Sequence, residues 1–151
     1  MNHEILTVTA ASPRLFLAAE LAEKLWPHHT KEELYEEFAS ILEKKPAAFF
    51  VLNLDGKPAG FAQCELRTDY VEGTASSPVG YLEGIFLLPE FRGQGLSALL
   101  LKACETWAKE KGCREFASDC ELENETSIAF HKRSGFKEAG RIVCFVKPLN
   151  P

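Results

Sequence analysis

Nothing in these 151 residues is apolar for long enough to cross a bilayer: no uninterrupted run approaches the ~18 residues a spanning helix needs. The opening residues, MNHEILTVTA, lack the basic start and long apolar stretch of a signal peptide, so a cytoplasmic location is expected, with no membrane partner. Cysteine is modest and poorly spaced. Five are present, an odd number, with no CxxC pair and no Cys/His ligand spacing, which argues for free thiols and against a disulfide framework or a metal site. Basic charge is in deficit: 17 Lys and Arg against 22 Asp and Glu give a net charge of −5, and no basic stripe interleaves with aromatics. Nucleic acid is therefore not an expected partner. The acidic balance either attracts a small polycation or only maintains solubility, and charge alone leaves both open. Repeats, low-complexity tracts and linkers are also missing.

What remains has the makings of one globular domain over 1–151, with 46% hydrophobic and 26% charged residues. Ile5–Val8 alternates as a first strand. Leu15, Leu17, Leu21 and Leu25 form a helical stripe that ends before Trp26-Pro27, and Thr30 to Glu33 is a capping box opening a second helix through about Leu42. Ala48–Leu54 and Ala59–Leu66 flank an Asp55-Gly56 turn and read as a β-hairpin. A polar loop over Thr68–Ser77 leads to a strand over Val79–Leu88. Helix 96–111, strand 115–120, a short helix 126–133 closed by Gly135, and a last strand Ile142–Val146 complete the chain. The order βααβββαβαβ is that of one mixed α/β domain.

The stretch with the clearest chemistry follows the strand that ends before Pro89. Arg92-Gly93-Gln94-Gly95-Leu96-Ser97 is an Arg-Gly-x-Gly turn running straight into an amphipathic helix. Bare backbone N–H groups and a helix N-terminus together suit a phosphate or pyrophosphate. Upstream, Glu83 lies inside a strand beside Gly84, and Asp119 ends the strand 115–120. Two carboxylates so placed either orient and deprotonate a cationic amine or simply face solvent. Trp26, His29 and Tyr70 fall in loops, where aromatic rings suit sugars and ammonium groups; Trp26 as a helix end and His29 on a Pro-containing turn are the plainer readings.

These residues carry a resemblance. Arg92 to Ser97 resembles the R-x-x-G-x-G/A pyrophosphate loop of the GNAT (Gcn5-related) N-acetyltransferases, with Ser97 where that family usually has Gly or Ala. Asn124, the helix 126–133 and Gly135-Phe136 resemble its downstream elements. A narrower likeness spans most of the chain. Trp26-Pro27, Asp69-Tyr70-Val71, Leu82-Glu83-Gly84-Ile85-Phe86, Phe116-Ala117-Ser118-Asp119 and Ala129-Phe130-His131 together resemble the aminoglycoside 6′-N-acetyltransferases.

The resemblance implies a GNAT fold, a central mixed and largely antiparallel sheet flanked by helices. It implies acetyl-CoA as co-substrate, held by Ile85, Phe86 and Leu87, by Arg92, Gly93, Gln94, Gly95, Leu96 and Ser97, and by Asn124, whose plainer role is a helix N-cap. The same likeness gives Glu83 and Asp119 the handling of the substrate amine and puts Trp26, His29 and Tyr70 in the substrate site. His131, where many relatives have a Tyr, is implied either to protonate the departing thiolate or to pack on the cofactor. Relatives often carry an acid at a position resembling Gly140, and Glu138 is the candidate replacement. Homodimers joined through C-terminal strands are common in the family, and Ile142–Val146 would serve. The expectation is direct acetyl transfer to the 6′-amine of an aminoglycoside in a ternary complex, conferring resistance. Cys120 adjoins Asp119 but has no evident base, so no acetyl-enzyme is expected. The competing readings are a GNAT enzyme for another amine, such as a polyamine or a protein N-terminus, and a non-catalytic acyl-CoA sensor.

Overall fold

In the computed structural model, which describes residues 2–150, the apolar runs become five hydrogen-bonded strands in the order β1-β2-β3-β4-β5. These are β1 His3–Thr7, β2 Ala47–Leu54, β3 Lys57–Arg67, β4 Val79–Leu87 and β5 Phe116–Ser118. The first four pair antiparallel with their neighbours, and β5 joins β4 in parallel. Helices α1 Arg14–Leu25 and α2 Lys31–Lys44 connect β1 to β2; α3 Ser97–Glu110 crosses from β4 to β5. One compact unit ends at Asp119 and holds all of these. A smaller one begins at Cys120 and holds α4 Glu125–Arg133.

The local signals explain the elements. Asp55 and Gly56 both adopt positive φ, 48° and 81°, the two left-handed residues a tight β2–β3 turn requires. At Thr30 the side chain accepts from the Glu33 N–H while the Glu33 carboxylate accepts from the Thr30 N–H, so the capping box that opens α2 is complete. The α1 stripe is narrower in leucine than its spacing predicts. Its buried face is Leu15, Ala18, Ala19, Leu21 and Ala22, and the alanines let the helix approach the sheet closely.

Both faces of the sheet are covered, which is why β2 reads as a nearly continuous apolar run rather than an alternation. On one face Phe49, Val51 and Phe61 pack with Leu15, Leu21, Leu34 and Phe38 from α1 and α2. On the other, α3 lies so close that a Cβ on Gly60 would sit 3.3 Å from Leu100, and one on Gly80 would sit 2.7 Å from the Ala108 Cβ. The short turn Pro89–Phe91, which the sequence did not signal, is one turn of 3₁₀ helix leading into the glycine-rich segment.

One strand is absent. Ile142–Val146 has strand-like composition, but no regular element occurs over 136–150 among the described residues. Ile142, Val143, Phe145 and Val146 are 77–95% exposed. A β-branched, apolar segment becomes a strand only against a neighbouring ladder, and this one has none. No helix among the described residues is long and apolar enough to cross a membrane.

Gly60 tests the close contact of β3 with β4. A Cβ there would lie 2.5 Å from the Phe86 carbonyl oxygen, a backbone atom that cannot rotate away. Gly60→Ala is expected to destabilise the fold by about 1–3 kcal/mol, read as a lower urea midpoint with an unchanged m-value.

Candidate active site

The register of β3 against β4 slips at one point. Gln63 faces Gly84, but Cys64 faces Leu82, so Glu83 is an extra residue with no cross-strand partner. Such a β-bulge bends the strand and re-aims side chains. Tyr81 and Glu83 lie on the face toward α1 and α2; past the bulge the alternation resets, and Gly84 and Phe86 share that face. A Cβ on Gly84 would lie 2.6 Å from the Trp26 ring, so glycine is what lets that indole come up against the strand. Trp26 also packs edge-on against Phe61, with ring centroids 6.0 Å apart.

The result is an open cavity of about 290 Å³ with Trp26, His29 and Glu83 in its lining. Four of the five expected aromatic and acidic contributors from the first unit's loops and strands thus fall into two linked groups. The cavity holds Trp26, His29 and Glu83. Asp119 is tied to it through Tyr81, whose hydroxyl donates to the Asp119 carboxylate. Tyr70 does not line this cavity: it is 76% exposed, and its hydroxyl accepts from the Gly73 N–H at 3.4 Å.

Sequence reasoning missed several members of the group. Gln63 and Glu65 line the cavity from β3, Glu37 and Lys45 from α2 and its C-terminal cap. Arg67 grips Glu83 with both nitrogens, at 3.1–3.3 Å. The signal was present: Gln63, Glu65 and Arg67 are polar at every second position of a strand that is otherwise apolar from Pro58 onward, which marks one face turning polar. Burial raises the Glu83 carboxyl above the usual carboxylate range, against the opposing pull of Arg67; Glu65 and Asp119 add to the rise. The Tyr81 phenol is pushed well above its ordinary value, first by burial and then by the bond to Asp119, so it remains a donor at physiological pH.

Beyond the bulge β4 also parts from β5. The two pair only at Gly80, Tyr81 and Leu82, so from Glu83 to Leu87 the far edge of β4 has no ladder partner among the described residues. Ile85, Phe86 and Leu87 lie on this open edge. Arg92 anchors its end, donating from Nε to the Leu87 carbonyl at 2.8 Å with its guanidinium 5.3 Å from the Phe86 ring centre. Gly93 and Gly95 both take positive φ, 79° and 76°, and a Cβ at either would meet nothing within 4 Å. Backbone conformation, not crowding, therefore selects glycine there. Gln94 donates back to the Glu90 carbonyl. Leu96 caps α3 without a side-chain bond, and the first turn beginning at Ser97 holds no acid, so its N–H groups are unclaimed by side chains. An unpaired strand edge, a glycine turn and a helix start free of side-chain caps follow one another in the chain, and such groups suit an extended ligand that ends in phosphates.

In the second unit, Asn124 caps α4 by accepting from the Ser127 N–H at 3.0 Å. His131 lies between Phe130 and Phe136, and its Nδ1 is 2.7 Å from the Ser127 carbonyl. A carbonyl only accepts, so Nδ1 carries the proton and a neutral ring keeps its lone pair on Nε2. Glu138 is spent on Arg141, 2.9 Å away, which lowers its carboxyl below the usual range.

The acetyltransferase (GNAT) family profile matches residues 15–136. A curated relative, the aminoglycoside N(6′)-acetyltransferase type 1 of Stenotrophomonas maltophilia, is 41% identical over 146 residues, which covers 96% of this chain and 95% of that one. Among solved structures, the aminoglycoside N-acetyltransferase AAC(6′)-Iy in complex with CoA superposes with a TM-score of 0.90 at 38% identity, covering 97% of this chain and 95% of the other. The same enzyme bound to a bisubstrate analogue, CoA-S-monomethyl-acetylneamine, gives 0.91 at 37%, covering 98% and 99%. The bulged, splayed strand, the glycine turn and the full-length likeness converge: this chain belongs to the GNAT acetyltransferase family.

Proposed function

We propose that this protein transfers the acetyl group of acetyl-CoA to the 6′-amine of aminoglycoside antibiotics, as the names of its relatives describe for them. The observation that carries the reading is the bulge at Glu83, which sets a carboxylate inside an acidic, Trp-lined cavity just where the strand edge opens. Acetylation removes a positive charge that the drug needs for binding ribosomal RNA, and resistance follows.

The reaction needs a held donor, a polarised carbonyl, a deprotonated ammonium and a protonated leaving thiolate. Along Ile85, Phe86 and Leu87 the main-chain groups that face away from β3 and are not taken by Arg92 receive the pantetheine arm, and one N–H receives the carbonyl oxygen. Arg92, Gly93, Gln94, Gly95, Leu96 and Ser97 take the pyrophosphate, and Asn124 adds a contact while it caps α4. The amine nitrogen attacks the thioester carbon, the C–N bond forms, and the C–S bond breaks. Glu83 takes the first ammonium proton, directly or through water, and the nitrogen gives its second proton to water as the amide forms. His131 gives a proton to the sulfur; because Nδ1–H is held by Ser127, it does so as the imidazolium, from Nε2. Asp119 binds a second substrate ammonium, Trp26, His29 and Tyr70 bind sugar rings, and Glu138 takes the outlying contact when Arg141 releases it.

The same reading treats 1–151 as one acetyltransferase domain, supported by a family match that runs through both compact units. It places the enzyme in the cytoplasm, where its acyl donor is made. It also assigns a homodimer to the chain's end, because Ile142, Val143, Phe145, Val146 and Leu149 are all strongly exposed, and a second copy would cover them.

Thiol release from acetyl-CoA should occur with kanamycin and tobramycin and be lost with 6′-hydroxy aminoglycosides. Turnover of spermidine with neither drug accepted would instead favour another amine as substrate, and no turnover at all a sensor. Glu83→Gln should lower kcat/KM by about 10²–10⁴, whereas Asp119→Asn should mainly raise the aminoglycoside KM, by roughly tenfold to a hundredfold. The base acts only as a carboxylate, and burial raises its pKa. Activity should therefore be full above that raised value and fall as pH drops through it, at a higher pH than a free glutamate would give. Sedimentation should show a dimer that Phe145→Asp dissociates; a monomeric parent would refute that assignment.

A further inference from the structure

Arg67, the last residue of β3, has no part in the chemistry above, yet its guanidinium is engaged on an edge and a face. Nη2 lies 3.1 Å from both carboxylate oxygens of Glu83, and Nε lies 3.3 Å from Oε2. Its flat face lies on the Tyr81 ring, with Cζ 3.4 Å from the centroid. The hydroxyl at the far end of that ring donates to Asp119. Two carboxylates on different strands are thus joined through one stacked arginine and one tyrosine.

This arrangement answers a problem created by the bulge. Glu83 has no cross-strand partner to set its direction, is mostly buried, and shares its surroundings with other acids. The groups that face it are Glu65 on its neighbouring strand, Asp119 past β5, Tyr81 on its own strand, Glu37 and Lys45 from α2 and its cap, and His29 from the turn after α1. Lys45 lies 3.9 Å from Glu65 rather than against Glu83. A planar guanidinium fixes the plane of a carboxylate that it grips with two nitrogens, and stacking on Tyr81 fixes the guanidinium in turn. A carboxylate has about four acceptor sites, and the three contacts from Arg67 fall two on Oε2 and one on Oε1, so Oε1 keeps room for an incoming ammonium.

We infer that Arg67 is a positioning residue for amine activation: it sets the orientation of Glu83 and supplies the local positive charge that keeps it a carboxylate in an acidic cleft. The inference rests on Glu83 as the group that takes the amine proton. The electrostatics agree in direction: of the groups acting on Glu83, Arg67 pulls its carboxyl down, while burial, Glu65 and Asp119 push it up.

Arg67→Met retains a flexible stem over Tyr81 and deletes the charge. The acid limb of the kcat/KM profile should move up by about one pH unit, with kcat at neutral pH lower by about tenfold and the KM for acetyl-CoA unchanged. Arg67→Lys should restore the limb but not the full kcat, since a point charge does not set the carboxylate plane. In the substrate-free protein, ¹³C NMR of labelled glutamate carboxyls, with Glu83 assigned by its absence in Glu83→Gln, should show the same upward shift in Arg67→Met. An unshifted Glu83 titration in a folded Arg67→Met protein, or in Arg67→Gln should the methionine variant not fold, overturns the inference. A parent that acetylates no aminoglycoside overturns the substrate reading instead, and the NMR titration still decides the role of Arg67.

Discussion

The site depends on a single extra residue. Where β4 passes Gln63 and Cys64, it spends Glu83 without a partner, and two things happen at once. The side-chain alternation shifts by one, which turns both Glu83 and Gly84 toward α1 and α2 and brings Phe86 back to the apolar cluster on that face. The strand also leaves β5, so among the described residues its far edge from Glu83 onward has no ladder. One local irregularity therefore builds the acidic wall of the cavity and opens the backbone track beside it. A regular strand would keep its pairing with β5 and offer neither.

Around that point, packing and charge work against each other. Trp26 can lie on the strand only because Gly84 has no side chain, and that indole gives the cavity an apolar wall. The burial that results is what makes a negative Glu83 costly. Arg67 offsets the cost locally, with a guanidinium nitrogen on each carboxylate oxygen and its face on the Tyr81 ring. On the other side of the splay the arrangement uses almost no side-chain charge. Positive-φ glycines and an uncapped helix start present main-chain N–H groups, with Arg92 turned back to hold the strand end.

Much of this was legible in the residues. A capping box, an Asp-Gly turn and an Arg-Gly-x-Gly turn are short-range devices whose geometry is set by neighbours a few positions away, and each appears where the sequence places it. Ile142–Val146 shows the opposite case. Its composition is that of a strand, but a strand is a pairing between segments, and the described residues of a single chain provide no partner for it.

By itself the sequence determined the order of elements from β1 to α4, the Asp-Gly and Arg-Gly-x-Gly turns and the α2 capping box, because all of these follow from local propensity and spacing, and its motifs carried the family resemblance. Only the tertiary structure decided that Glu83 is a bulge, that Tyr81 joins Asp119 to the same site, and that Arg67 holds the central carboxylate. Register is a relation between two strands, and burial is a relation among several elements. Neither is written in the run of residues around any one of these side chains.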